Sequence, residues 1–229
     1  ADTSYELLVT DSKERATILA ATLEQQNRQR QQLTREANER ARTLIELEPI
    51  VIVGDASFLP GIIGLVAGKL VEEFHRPAVV ISIGPEVSRG SCRSIPEFNI
   101  GSALFQIAPK VGGFIRQGGH AQAAGFTIAT EKLSALRSNL VALARGSLGE
   151  QPSRPTLNID LELPLGSLPR DIYRLISVLA PFGEGNRAPT FLSRKVHLTE
   201  VRTVGIRGEH LRLKLDGGGA IWDAMAFRQ

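Results

Sequence analysis

The stretch Arg116-Gln117-Gly118-Gly119-His120-Ala121-Gln122-Ala123-Ala124-Gly125 gathers small residues around one imidazole. Gly118 and Gly119 lack a Cβ, so their backbone can take φ > 0 and let a ligand approach its N–H groups. The alanines and Gly125 keep the surface beyond them low. His120 is the single large polar group, able to donate to an anion whether neutral or charged. These features suit a phosphate seat. They also suit a tight turn around a buried, hydrogen-bonded histidine, since short motifs match by chance. A second stretch, Arg89-Gly90-Ser91-Cys92-Arg93-Ser94-Ile95-Pro96, holds two arginines and two serine hydroxyls. The guanidinium fork matches phosphate oxygens bidentately, and serine adds a neutral donor. A solvated loop with ordinary surface arginines is the plainer account of that segment. Two anion-suited segments in one domain weigh towards phosphate.

These segments recur with others in a fixed order. Pro60-Gly61-Ile62-Ile63-Gly64-Leu65-Val66-Ala67-Gly68-Lys69-Leu70 comes first, then Arg76-Pro77, Gly90 to Ile95 and Gly118 to Ala121. Ala180-Pro181-Phe182-Gly183-Glu184-Gly185-Asn186, Pro189-Thr190-Phe191 and Gly208-Glu209-His210-Leu211-Arg212-Leu213-Lys214 follow. In this order the chain resembles the DHH-associated and OB-like domains of the RecJ single-strand-specific exonucleases, over nearly its whole length. The resemblance implies 5′→3′ hydrolysis of single-stranded DNA in repair and recombination. It also implies a pair of divalent metals, Mn or Mg, in an amino-terminal DHH domain. Two such ions stabilise the attacking and leaving oxygens of a phosphodiester.

This chain has no Asp-His-His, and His75, His120, His197 and His210 stand singly, without metal-ligand spacing. No catalytic residue, metal ligand or cofactor is therefore expected in it, and alone it is expected to be inactive. Its expected task is substrate binding. By resemblance Ser91, Arg93, Ser94, Gly118, Gly119 and His120 hold the phosphates of the 5′ end. Arg89, Arg116, Arg202, Arg207, Arg212 and Lys214 are further candidates for contact with the single strand, with Trp222 as a stacking face or a core residue. Single-stranded DNA is the expected partner, and a single-strand-binding protein or helicase are candidate protein partners. Two positions depart from the family pattern: Leu59 where a histidine is frequent, and Cys92 where a glycine is usual, which adds a Cβ in a tight loop. A short-oligonucleotide phosphodiesterase of the same superfamily and a non-catalytic single-strand-binding module are the competing readings.

The elements that must position these residues read as α/β. Leu7-Leu8-Val9 reads as a short strand. Asp11 with Glu14 forms a capping-box pattern, and no Gly or Pro interrupts the chain from there to about Glu48. That predicts a helix on the order of 55 Å long. Its centre is polar all round, as in a helix that connects bodies. Residues 1–48 are read as this connecting segment.

Residues 49–146 are read as the α/β DHH-associated domain. Ile50 to Val53 and Ala78 to Ile83 are buried strands around a helix whose glycines Gly61, Gly64 and Gly68 suggest close packing on the sheet, the alternative being a ligand at the helix start. Asn99 caps a short helix, the His120 turn follows, then a strand through Phe126 to Ile128 and a last helix capped by Thr130. Residues 147–155 are read as a linker and 156–229 as a small OB-like barrel. About four strands are visible there against the five an OB fold needs, so the barrel looks incomplete.

Composition sets bounds. A net charge of +3 on 229 residues excludes a polybasic tail, and 42% hydrophobic with 22% charged residues is ordinary for a globular chain. Most of the positive charge is arginine, which favours discrete phosphate contacts. One cysteine, Cys92, cannot form an internal disulfide and fits a reducing, cytoplasmic setting. No long apolar run predicts membrane insertion.

Overall fold

The computed structural model describes residues 2–46, 48–149, 156–169, 171–205 and 208–227. They form two compact units, residues 1–155 and 156–229.

The first unit opens with two helices, α1 (Asp2–Val9) and α2 (Lys13–Thr43). The apolar run Leu7-Leu8-Val9 is thus helical, not a strand. So short a run does not distinguish the two by itself, and α1 folds back on α2, with Arg15 pairing Glu6. The cap of α2 is Ser12, whose Oγ accepts the Arg15 N–H at 3.2 Å, one residue beyond the expected Asp11. The helix ends at Thr43 rather than near Glu48. Only its carboxy-terminal third is docked, through Thr34, Ala37, Asn38 and Ala41.

A five-stranded sheet follows, built from β1 (Val51–Asp55), β2 (Ala78–Ser82), β3 (Val87–Arg93), β4 (Arg116–His120) and β5 (Ala123–Ala129) in the order β1-β2-β3-β5-β4. β1 and β2 are parallel, joined through α3 (Ile63–Phe74), and every other pair is antiparallel. Two apolar layers sandwich the sheet. On one face Ile52, Val79, Cys92, Ala124 and Phe126 pack beneath α4 (Ile100–Ile107) and α5 (Leu133–Leu148). On the other, Val51, Val53, Ala78 and Val80 pack beneath α3 and the docked end of α2.

Several local expectations change in this context. Gly118-Gly119-His120 is edge strand β4, not a turn; the reversal falls at Ala121-Gln122, between the paired residues His120 and Ala123. The arginine-serine segment is strand β3, not a loop, because its alternate residues Ser88, Gly90 and Cys92 are buried. Cys92 therefore adds its Cβ to the core, and burial pushes its thiol up to about 12. Thr130 does not cap α5: its hydroxyl bonds to the Gly84 carbonyl and Ser88 hydroxyl, both at 2.8 Å. Asn99 does cap α4, accepting the Ser102 N–H at 3.0 Å. Of the three glycines on this helical spacing, Gly64 does pack closely on the sheet, where a side chain would come within 3.1 Å of Ser91 Oγ and 3.2 Å of Arg93 Nη2 on β3, whereas a side chain at Gly68, or at Gly61 just before α3, would meet nothing within 4 Å.

In the second unit, β6 (Leu161–Glu162) pairs in parallel with β7 (Phe191–Leu192) around α6 (Ile172–Ser177). The longer alternating strand expected over residues 157–163 shrinks to this exposed pair. β8 (His197–Val204), β9 (His210–Asp216) and β10 (Ile221–Phe227) form an antiparallel sheet. Five strands are thus present among the described residues, in two separate sheets rather than a closed barrel. Of the expected linker, residues 150–155 lie outside the described residues.

Asp55 ties α2 to the sheet. Its carboxylate accepts the backbone N–H of Ser57 at 2.9 Å, the Ser57 hydroxyl at 2.8 Å and the Arg40 guanidinium at 2.9 Å. These bonds, the Ser57 N–H foremost, lower its pKa from 3.8 to about 2. A carboxyl that ionises more readily when folded adds stability above its unfolded pKa and loses it as pH falls through the folded one. Asp55→Asn is therefore expected to lower Tm at neutral pH. The gap to the unsubstituted protein is expected to close between about pH 3.8 and about pH 2. Thermal melts across this range check it; a gap that persists at pH 2 contradicts it.

Candidate single-strand interface

Strand register sets the site. Directly paired residues share a face, and successive residues along a strand point to opposite faces. Three rows therefore cross the face that carries α3. They run Val51-Ala78-Arg93-Ala123-His120, then Val53-Val80-Ser91-Gly125-Gly118, then Asp55-Ser82-Arg89-Thr127-Arg116. Each begins beneath α2 and α3 and passes onto the part of the sheet formed by β5 and β4, which no helix of the first unit covers on this side among the described residues. The middle row supplies a floor of one hydroxyl and two glycines. A side chain at Gly118 would meet nothing within 4 Å, so this floor is open.

Over this floor lies a hollow of about 440 Å³, lined by Arg89, Ser91, Arg116, Gly118, Gly125 and Thr127 together with Pro60 and Ile63. Arg89 and Arg116 flank Thr127 in one row and have no hydrogen-bond or ion-pair partner among the described residues. Beside the hollow, Arg93 donates to the Cys92 carbonyl at 2.8 Å and to the Ser91 hydroxyl at 3.4 Å. Its guanidinium lies against Gly64, where a side chain would come within 3.2 Å of Nη2 and 3.1 Å of Ser91 Oγ. A hydroxyl and a guanidinium so placed can share one anion, with the arginine supplying charge-assisted bonds.

Not every residue expected at the site joins it. Ser94 is buried; its hydroxyl donates to the Phe98 carbonyl at 2.6 Å and its N–H to the Gln122 carbonyl at 3.0 Å. That closes the turn after β3 and leaves no donor for a ligand. Gly119 and His120 line a separate hollow of about 440 Å³ with Asn99, Ser102 and Phe105 at the α4 edge, where the His120 carbonyl lies against Gly101, although register ends the Arg93 row at His120. His120 Nδ1 accepts the Gln122 N–H at 3.3 Å, which in the neutral ring leaves Nε2–H as a donor. Gly119 is required for conformation: it has φ +145°, and a side chain would overlap the Ala123 carbonyl. Thr127 went unrecognised in the sequence, and Gly64 was marked there only as a glycine of the helix after β1. The alternation Arg89-x-Ser91-x-Arg93 signals a strand carrying all three on one face, once the segment is not taken for a loop.

The expected contacts of the second unit are differently placed. Arg202, Arg212 and Lys214 share one face of the β8-β9-β10 sheet with Glu200 and Asp223. Lys214 pairs with Glu200 at 3.1 Å, Arg202 with Glu200, and Arg212 with Asp223 at 3.3 Å. The Lys214 ammonium, aided by Arg202, holds the Glu200 carboxyl below its ordinary range. Trp222 pairs with Leu215 and so points to the opposite face, away from these cations. Arg207 lies outside the described residues.

Residues 48–145 match the DHHA1 domain family and residues 159–229 match the RecJ OB domain family. The chain carries a DHHA1 domain followed by a RecJ OB domain. The single-stranded-DNA-specific exonuclease RecJ of Bacillus subtilis is 31% identical over 235 residues, covering 100% of this chain and 30% of that protein. Its Thermus thermophilus counterpart is 31% identical over 220 residues, covering 95% of the chain and 31% of that protein. The crystal structure of RecJ in complex with Mn2+ from T. thermophilus superposes with a TM-score of 0.82 at 26% identity, over 100% of this chain and 33% of that one. The chain thus spans about a third of the length of the relatives it matches. Its hollow does not suit a divalent cation: guanidinium, hydroxyl and amide donors face it, where such ions need carboxylate or imidazole ligands. Among the described residues no three His, Cys, Asp or Glu stand together in a group able to hold a metal ion.

Gly90 of β3 faces the core, where the Phe126 ring of the paired strand packs over it. A methyl there would overlap that ring. Gly90→Ala is expected to destabilise the domain by about 1–3 kcal/mol through overpacking. Urea denaturation checks this. An unchanged midpoint would mean that the ring moves aside freely.

Proposed function

We propose that this chain is the substrate-binding part of a RecJ-like 5′→3′ single-stranded DNA exonuclease, with the phosphodiester hydrolysed in a DHH domain outside these residues. The observation that carries this reading is the pairing of Ser91 and Arg93 above an open glycine floor, beside two arginines without partners. In this reading the 5′-terminal phosphate lies against the Ser91 hydroxyl and the Arg93 guanidinium. The floor at Gly118 and Gly125 lets the strand lie close to the sheet, and Arg89 and Arg116 meet the next phosphates. His120 donates from the α4 edge. This part of the protein positions and orients; divalent ions (Mn or Mg) held by the DHH domain would activate the attacking water and stabilise the leaving oxygen. By itself the chain binds without cleaving. The RecJ OB family match favours a long single strand over a two- or three-nucleotide substrate, which needs no second binding domain. In this reading the protein acts on DNA strands in repair and recombination and works in the cytoplasm.

Fluorescence anisotropy with single-stranded oligonucleotides of increasing length, with and without a 5′-phosphate, tests this. Affinity is expected to rise with length and to favour the phosphorylated end. Arg93→Gln is expected to lose that preference by about tenfold to a hundredfold, the scale of hydrogen bonds to a charged group. Equal affinity for 5′-hydroxyl and 5′-phosphate ends in the unsubstituted chain would overturn the assignment.

A further inference from the structure

Between α2 and α3 lies a third cavity, of about 580 Å³, lined by Arg30, Arg35, Gly68, Lys69, Glu72 and Arg93 among others. Four cations face it against one carboxylate. Their state differs from that of the other arginines of α2. Arg28 is paired with Glu24, Arg40 with Asp55 and Arg42 with Glu73, each at 2.8 Å. Arg30 instead bonds only the neutral Asn27 side chain, and Arg35 and Lys69 have no partner among the described residues. The part of α2 that faces the cavity therefore keeps its positive charge uncompensated.

The opposite wall adds an independent sign. Gly68 sits inside α3, where glycine is the poorest helix former after proline. No packing explains it, since a side chain there would meet nothing within 4 Å. It leaves that wall of the cavity as bare backbone. Arg93 links the cavity to the phosphate site, because its guanidinium lies beside both Gly64 and Ser91.

We infer that the α2–α3 groove is a second binding tract for the single strand, holding backbone phosphates of nucleotides beyond the 5′ end against Arg30, Arg35 and Lys69. Nucleic acid fits better than an acidic protein surface because the groove continues at Arg93 into the hollow already read as the terminal-phosphate seat. The inference rests on that reading. It goes beyond it by making the connecting helix a participant in DNA binding rather than only a spacer. A bare helix wall suits a sugar-phosphate chain, which needs room along its whole length.

The test uses this chain with 5′-phosphorylated dT2 and dT20, titrated by anisotropy at several salt concentrations. One variant is Arg35→Gln/Lys69→Gln; the other is Gly68→Leu, which fills the groove without touching its charge. Neither changes a paired residue, so melting is expected to stay at or above that of the unsubstituted chain. The double variant is expected to bind dT20 about tenfold more weakly. Its log affinity against log salt is expected to be shallower by about 0.7 for each phosphate that is no longer neutralised. Binding of dT2 is expected to be unchanged. Gly68→Leu is expected to weaken dT20 with dT2 intact. Unchanged dT20 affinity and salt slope in both variants would overturn the inference and assign the groove to a protein surface instead. Loss of dT2 together with dT20 would also overturn it, since the groove would then not be a separate tract. A chain without 5′-phosphate preference would remove the terminal-phosphate reading. The groove would still stand if the salt slope fell in the double variant.

Discussion

The structure depends on unequal cover over one sheet. Five strands in register carry rows of residues that run continuously across the face bearing α3, yet the helices seal only part of each row. Val53 and Val80 lie beneath α3, Ser91 lies at its edge against Gly64, and in the same row Gly125 and Gly118 lie beyond it. Had α3 and α2 been shifted by two strands, these positions would demand apolar side chains. Because α4 and α5 cover the other face, strand β3 has no freedom to slip. A one-residue change of register would drive Arg89, Ser91 and Arg93 into the core and lift Cys92 into solvent. Packing on the closed face thereby holds the polar residues of the open one.

The helix α2 serves two ends. Its last third is part of the core, fixed by Ala37 and Ala41 and by the ion pairs of Arg40 and Arg42. Its first two-thirds lie outside that core, and the groove against α3 begins where the docked part ends. An exposed ion pair is worth little individually. Asp55 is better placed than most, since it also accepts two bonds from Ser57. The two units treat positive charge differently. In the DHHA1 domain Arg35, Lys69, Arg89 and Arg116 are uncompensated, whereas in the RecJ OB domain Arg202, Arg212 and Lys214 share Glu200 and Asp223. In the function proposed above, this difference would make the first unit the main source of phosphate affinity.

Much was legible in the residues alone. Runs such as Ile50 to Val53 and Ala78 to Ile83 declare buried strands, Asn99 declares a helix start, and the absence of Gly and Pro after Asp11 declares a long helix. Residue type alone marked Ser91 and Arg93 as anion donors, because a guanidinium and a hydroxyl carry that chemistry wherever they stand. Glycine misled in both directions. Gly118 and Gly119 suggested a turn, yet glycine also serves at a strand edge where a side chain would strike the neighbouring strand. The glycines of α3 suggested tight packing, which holds at Gly64 against β3 but not at Gly68, which faces open space.

The sequence by itself therefore determined which chemistry was present and roughly which segments were helix and strand. Both follow from local properties: donor type, apolar period and capping. Only the tertiary structure decided which donors act together. It turned Ser94 inward onto the Phe98 carbonyl, set His120 in another hollow, and placed Trp222 on the face away from Arg212. It also put Gly68 opposite Arg35. Those outcomes depend on strand register and helix docking, which bring together residues far apart in the chain and which no local pattern encodes.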